Sequence, residues 1–179
     1  VPAPALRSDR DGHILWNIMG TLFTIGSNRK HAEQFFTLLR EAGVRRVLDV
    51  RLRNTSQLLG FSMQIHLPFL LREIADIEHE HRTEVAPTPA ILDAWTKKRI
   101  TWSEYEARFL PLLEERRIEE GFTPGELDGA CLLSSEPPAD QCHRRLVAQY
   151  FRPAWPSLDT QHLEGGLPAS RSPHTSLSP

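Results

Sequence analysis

The sequence has few of the features that mark secreted, membrane-spanning or strongly charged proteins. Its 179 residues include only two cysteines, too few for the disulfide framework of a small secreted domain. No apolar run reaches the roughly 18 residues that a membrane-spanning helix needs, and no signal-peptide pattern is visible. A formal net charge of −2 gives no overall field that would recruit nucleic acid or an anionic membrane. We therefore expect a cytoplasmic protein that does not bind membranes.

Common cofactor and metal signatures are also missing. Gly26 follows an apolar run, but the chain has no G-x-G-x-x-G motif for a dinucleotide. A phosphatase-type loop needs a cysteine and an arginine several positions apart, whereas Cys142 lies only two positions before Arg144. His79 and His81 alternate along a predicted strand, yet spacing identifies no third ligand for a metal. The sequence thus predicts no metal site and names no cofactor, and metal binding at the histidine strand or at Cys142 stays open as a third interpretation.

Along the chain, the spacing of apolar residues alternates between the pattern of a strand and the pattern of a helix. Residues 22–25 form a short apolar run that predicts a strand, and residues 32–39 carry apolar side chains at helical spacing. Gly43 is placed to end that helix, and residues 47–50 predict a second buried strand. Strand, helix and strand in close succession indicate a βαβ unit with parallel strands.

The same alternation continues to the end of the ordered part of the chain. Further helices are expected from Ser62 to about Ala75, after Thr88, after the Thr101–Glu104 capping box, and after Asp140. Pro68 favours a late or kinked start for the first of these. Further strands are expected at residues 77–81, 130–133 and 158–163. This pattern predicts an α/β protein, a Rossmann-like three-layer sandwich with a mostly parallel sheet.

Composition divides the chain into three parts. Residues 1–19 are expected to be an N-terminal extension, residues 20–163 a single α/β domain, and residues 164–179 a flexible C-terminal tail rich in proline and serine.

Polar residues follow several predicted strands, where open α/β sheets bind their ligands. Asp49 is the most informative, because it interrupts a buried strand in which an unpaired carboxylate is costly. A cation such as Arg51 or Arg144, or backbone N–H groups, must satisfy it. Asp49 is then either a functional carboxylate or a residue that ties down a loop.

A second group lies at the predicted start of the last helix. With Asp140 as the N-cap, Cys142 and His143 fall in the first turn, where helix dipole and free N–H groups favour anions and lower a thiol pKa. Arg144 adds a guanidinium suited to phosphate or carboxylate. The alternative makes Cys142 a packing residue and the arginines a solvated face. Other basic pairs, such as Arg29–Lys30, are interpreted as exposed charges.

At these residues the chain resembles the bacterial and archaeal family catalogued as "domain of unknown function 488". The similar segments cover about residues 22–163 and comprise 24–26 with 29–30, 48–52 with 54–57 and 60–61, 86–88, and 131–137 leading to 142–146. The resemblance implies a Rossmann-like fold and a site built from the Asp49–Arg51 strand end, Glu136 and the Cys142–Arg144 helix start. Ser134 stands where members of the family usually carry a cysteine, which argues against chemistry that needs two thiols there.

Together these observations predict a hydrolase or transferase that acts on a phosphorylated or nucleotide-like small molecule. The expected catalytic residues are Asp49, Glu136, Cys142 and His143, and the expected substrate-binding residues are Arg51, Asn54, Ser56, Ser134 and Arg144. The alternative is a non-catalytic module that binds a nucleotide, a nucleic acid or a protein partner through the same anion site. The sequence does not specify the oligomeric state.

Overall fold

The fold is given by a computed structural model that describes residues 6–8, 14–16, 20–136 and 138–165. In the predicted N-terminal extension, β1 (Leu6–Ser8) and β2 (Ile14–Trp16) pair as a small antiparallel ribbon that the sequence did not indicate. The predicted flexible tail lies outside the described residues except for 164 and 165.

The central sheet has five strands, all parallel. In chain order they are β3 (Gly20–Gly26), β4 (Arg46–Asp49), β5 (Glu78–His81), β6 (Ala130–Ser134) and β7 (Leu158–Leu163). Across the sheet the order is β5-β4-β6-β3-β7, and every neighbouring pair is parallel. This architecture confirms the α/β, Rossmann-like prediction.

The helices that connect these strands are α1 (Ala32–Glu41), α2 (Leu67–Ala75), α3 (Pro89–Thr96), α4 (Trp102–Glu115), α5 (Pro124–Leu127) and α6 (His143–Phe151). Short 3-10 helices at Gln57–Ser62, Thr83–Val85 and Ile118–Gly121 complete the connections. Among the described residues, none of the helices has the length and apolar character that crossing a membrane requires.

Two hydrophobic cores cover the two faces of the sheet. On one face, α1 and α2 place side chains such as Phe35 and Leu71 against Ile25, Val47 and Leu133. On the other face, α4 and α6 pack against the alternate residues of the same strands, which include Leu22, Leu48 and Leu132. The sheet is buried on both sides because successive strand residues point to opposite faces and both sets are apolar.

Several local sequence signals act as predicted. Thr88 caps α3 by accepting a hydrogen bond from the N–H of Ile91, and Thr101 and Glu104 form both bonds of a capping box at α4. Gly43 follows the end of α1 with a φ of 71°, a left-handed conformation that glycine adopts without a steric penalty.

Two predicted helix caps are wrong, although the late start of α2 agrees with the position of Pro68. Ser62 ends a 3-10 helix instead of capping α2, which starts at Leu67 because Pro68 is tolerated only in a first turn. Asp140 lies in an exposed turn, and the residue at the N-cap of α6 is Cys142. His143, Arg144 and Arg145 therefore occupy the first three helical positions.

Candidate functional site

The strand order creates a crevice at the carboxyl edge of the sheet. β3 leads into α1 on one face, while its neighbour β6 leads to α6 on the other. Adjacent parallel strands whose connections leave to opposite faces form the switch point at which α/β proteins bind ligands. Past the strand ends, the N–H groups of Ser27 and Asn28 bond to the carbonyls of Ser134 and Ser135 at 3.0 and 2.9 Å.

The sulfur of Cys142 is at the centre of a polar cluster in this crevice. It lies 3.1 Å from Ser134 Oγ, 3.3 Å from Glu136 Oε2 and 3.9 Å from His143 Nδ1. Cys142 is buried, and Glu136 is partly exposed. We call Glu136, Cys142 and His143 the thiol cluster.

The imidazole of His143 has a defined orientation. Its Nε2 lies 3.0 Å from the carbonyl oxygen of Val50, and because a carbonyl only accepts, Nε2 carries the hydrogen. In the neutral ring, Nδ1 then presents its lone pair to Cys142. Burial lowers the pKa of His143, but the negative charges of Cys142 and Glu136 and the bond to Val50 outweigh burial and raise it.

Arg144 holds the loop that carries the thiol cluster. Its side chain is fully buried and donates from Nη1 to Ser134 Oγ at 2.7 Å and to the Glu136 carbonyl at 2.6 Å. Its Nε donates to Thr24 Oγ1 at 3.2 Å, and that hydroxyl also bonds to His162 Nδ1 at 2.7 Å. These contacts, added to others in the fold, make Arg144 an organising residue for the strand end and the loop.

Lys30 is a second buried cation that the sequence interpretation placed on the surface. It is only 4% exposed, whereas its neighbour Arg29 is exposed. Burial and the Arg144 guanidinium lower the pKa of Lys30, and Glu164 opposes them. Lys30 also lines a cavity of about 450 Å³ between the start of α1 and residues 58–61. The sequence does not indicate which of these two neighbouring cations is buried.

Tyr105 is a further residue near the site, and no pattern in the sequence indicated it. It is almost fully buried, and its ring stacks on Trp102 with the centroids 5.0 Å apart. Burial, followed by the negative charges of Cys142 and Glu136, raises the pKa of Tyr105 far above its usual value. The phenol of Tyr105 is therefore kept neutral beside the thiol cluster.

Asp49 belongs to a second polar cluster. Arg51 donates to its carboxylate from Nε and Nη2, both at 2.7 Å, and Asn54 donates at 3.0 Å. His79 Nε2 is 3.7 Å from Asp49 Oδ2. Burial alone would raise the pKa of Asp49, but the Arg51 hydrogen bonds, nearby His79 and the Arg51 charge lower it well below its usual range.

The two clusters share the carboxyl edge but not a face of the sheet. Asp49 pairs in register with Leu133 on the face that α1 and α2 cover, and Ser134 points to the opposite face with Thr24 and Arg144. The connection between them is the His143–Val50 hydrogen bond, together with the bond from the N–H of Val50 to the carbonyl of Leu133.

Of the predicted site residues, the structure places Ser134, Glu136 and His143 around the sulfur of Cys142. Arg144 lies next to them and donates to Ser134 and to the Glu136 carbonyl. It places Asp49, Arg51 and Asn54 in a separate group, where Arg51 also donates to the Ser62 carbonyl at 2.9 Å. Ser56 is exposed and caps a 3-10 helix, so it joins neither group. Within the part of the chain that is described, the thiol cluster is the set of side chains whose donor atoms are grouped closely enough to hold a metal.

One family comparison matches this chain. The family described as "Domain of unknown function DUF488" matches residues 31–151, which include both polar clusters. The comparisons with curated proteins and with solved structures gave no match.

Proposed function

We propose that this chain, which belongs to the DUF488 family, is a thiol-dependent hydrolase or transferase that forms a covalent intermediate on Cys142 with a phosphate-bearing substrate. The observation that carries the proposal is the set of groups around one sulfur atom. A base, a carboxylate and a hydroxyl lie within 3.9 Å of Cys142 Sγ, at the switch point of the sheet.

His143 is the residue that activates the thiol. The bond from its Nε2 to Val50 directs the lone pair of Nδ1 toward Cys142, so the imidazole is oriented to accept the thiol proton. The hydroxyl oxygen of Ser134 accepts from Arg144 and from the thiol of Cys142, and after the thiol loses its proton the hydroxyl can turn its own hydrogen toward the sulfur. The thiolate is the nucleophilic form of cysteine, and His143 is placed to receive the proton whose loss generates it.

The reaction then proceeds in two steps. Cys142 Sγ forms a bond to the electrophilic atom of the substrate, the bond to the leaving group breaks, and the leaving group takes the proton from His143 Nδ1. In the second step, water or another acceptor attacks the intermediate and loses a proton to Glu136, and the bond to Cys142 breaks to release a thiolate. The proton on Glu136 then passes to Cys142 Sγ, 3.3 Å away, and restores the starting state. Water as acceptor makes the enzyme a hydrolase, and any other acceptor makes it a transferase.

Lys30 supplies the charge that selects an anionic substrate. Lys30 is buried at the same edge of the sheet, and its charge is repelled by Arg144 and only partly compensated by Glu164. A bound anion would stabilise this buried charge further. The bonds of Arg144 to Thr24, Ser134 and Glu136 suit it to positioning the thiol loop. Asp49 and Arg51, bonded to each other, brace the neighbouring strand end.

The first test is the reactivity of the two cysteines toward iodoacetamide at pH 7, measured by mass spectrometry of the folded protein. Cys131 serves as the internal control, because it is fully buried and burial raises its pKa far above the usual value. We expect alkylation of Cys142 at a rate at least about tenfold above that of Cys131, and slower alkylation when inorganic phosphate is present. Equal, slow rates for both thiols would rule out a nucleophilic Cys142.

The same experiment separates catalysis from simple binding. A non-catalytic module would leave Cys142 unreactive while phosphate still raised the melting temperature of the protein. A nucleophile requires both the reactive thiol and its protection by phosphate, and Cys142→Ser must abolish the labelling.

A further inference from the structure

The thiol cluster has the composition of a metal site as well as that of a reactive thiol. Its three donor atoms, one carboxylate oxygen, one sulfur and one imidazole nitrogen, all lie within 4.8 Å of one another. Sulfur and imidazole are ligands that zinc prefers, whereas calcium and magnesium take oxygen ligands.

We infer that Glu136, Cys142 and His143 bind one zinc-like divalent cation reversibly, and that the bound cation blocks the thiol and switches the enzyme off. The inference rests on the proposed function for its inhibitory part and on geometry alone for the binding site.

The distances in the cluster fit tetrahedral coordination. With metal–ligand bonds of about 2.0–2.3 Å, the donor atoms of a tetrahedral zinc site are about 3.3–3.7 Å apart. Cys142 Sγ lies 3.3 Å from Glu136 Oε2 and 3.9 Å from His143 Nδ1, and all three donor atoms lie within 4.8 Å of one another, so shifts of at most about 1 Å suffice. Side-chain torsions absorb movements of that size without moving the backbone.

The outer contacts of the ligands are also those of a metal site. Metal-binding histidines donate their second ring nitrogen to a carbonyl or carboxylate, and His143 Nε2 has this bond to Val50. The Glu136 backbone is fixed by the 2.6 Å bond from Arg144, which holds the carboxylate next to the sulfur. The ligand that faces the cation is thus Nδ1, already directed at the cluster.

Reversible occupancy follows from the charges around the cluster. Structural zinc sites have four protein ligands, and this cluster supplies three. The Arg144 guanidinium bonds to the Glu136 carbonyl and opposes a second positive charge nearby. A cation that binds here takes the sulfur lone pair, so the same event that fills the site removes the nucleophile.

The test uses the reduced 179-residue chain with zinc, magnesium and EDTA. Isothermal titration measures zinc stoichiometry and affinity, and iodoacetamide labelling of Cys142 reports blocking of the sulfur. We expect one zinc per chain, labelling slowed at least tenfold by zinc, recovery with EDTA, and no effect of magnesium.

Three variants locate the site. Cys142→Ser, His143→Gln and Glu136→Gln should each weaken zinc binding at least tenfold, and the glutamine at position 143 retains a donor for the Val50 carbonyl. His66→Gln removes an exposed imidazole and should leave zinc binding unchanged. Circular dichroism checks that each variant is folded.

Two results would overturn the inference. In the first, zinc does not bind, or it binds without slowing the labelling of a reactive Cys142; the proposed thiol enzyme would then still stand. In the second, zinc binding survives in all three cluster variants. A third result overturns the switch and the thiol nucleophile together: one zinc that purifies with the protein, resists EDTA and keeps Cys142 unreactive.

Discussion

His143 Nε2 donates to the carbonyl oxygen of Val50 over 3.0 Å, and this bond joins the helix that carries the thiol to the strand that ends beside Asp49. It fixes which ring nitrogen faces Cys142, and it satisfies the Val50 carbonyl. The proton-accepting role proposed for His143 depends on this bond, because rotation of the ring would turn Nδ1 away from the sulfur.

His143→Gln separates the two functions of the imidazole. The glutamine amide keeps a donor for Val50, while the lone pair of Nδ1 is lost. We expect a folded protein in which iodoacetamide labels Cys142 at least about tenfold more slowly at pH 7, because the thiol has no base. Labelling at the wild-type rate would show that Cys142 does not need His143.

Asp49→Ala should be strongly destabilising. Its removal leaves the buried Arg51 guanidinium without the carboxylate that binds it through two hydrogen bonds of 2.7 Å. Loss of one partner of a buried pair costs about 3–5 kcal/mol of the free energy of unfolding. Urea denaturation measures the change.

Glu78→Gln is the matched control for that variant. Glu78 on β5 pairs with Arg46 on β4, the strand that also carries Asp49, but the side chain of Glu78 is 70% exposed. An exposed pair contributes at most about 1 kcal/mol, so this variant should unfold near the wild-type urea concentration. Similar losses in both variants would contradict the importance of burial.

The contribution of Asp49 should depend on pH with a definite sign. The folded-state pKa of Asp49 is depressed below the ordinary value of 3.8, so the unfolded chain takes up this proton first as the pH falls. The stabilisation is present in full above about pH 5 and is lost as the pH falls through the ordinary value toward the folded-state pKa, at about 1.4 kcal/mol per pH unit.

Urea unfolding of wild type and Asp49→Asn at pH 7, 5, 4 and 3 measures this dependence. Arg51 and His79 are the charged or titratable groups that face Asp49, and neither is changed in the variant. The stability difference between the two proteins should narrow below pH 4. A difference that stayed constant down to pH 3 would contradict a depressed pKa.

Lys30→Gln should weaken the binding of phosphate. Removal of a buried ammonium eliminates a charge-assisted hydrogen bond, and we expect protection of Cys142 by phosphate to need at least about tenfold more of the anion. Arg29→Gln changes the adjacent but exposed cation and should leave protection unchanged. An equal effect of both variants would indicate a general loss of charge and not a site at Lys30.

Local sequence patterns predicted most of the fold. The strands at residues 22–25 and 130–133, the end of α1 at Gly43, and the capping of α3 and α4 all depend on interactions between residues close together in the chain. Because parallel strands end at one edge, the sequence also indicated that Asp49 and Cys142 would lie along the same edge.

What the sequence by itself determined is therefore the α/β alternation and the edge at which the polar residues gather. The tertiary structure alone decided that Asp49 and Cys142 lie toward opposite faces of the sheet and that Lys30 is buried while Arg29 is not. It also decided that Ser62 does not cap α2 and that Asp140 does not cap α6. The physical reason is range: periodicity and capping act over a few residues, whereas burial and hydrogen-bond partners follow from packing between segments far apart in the chain.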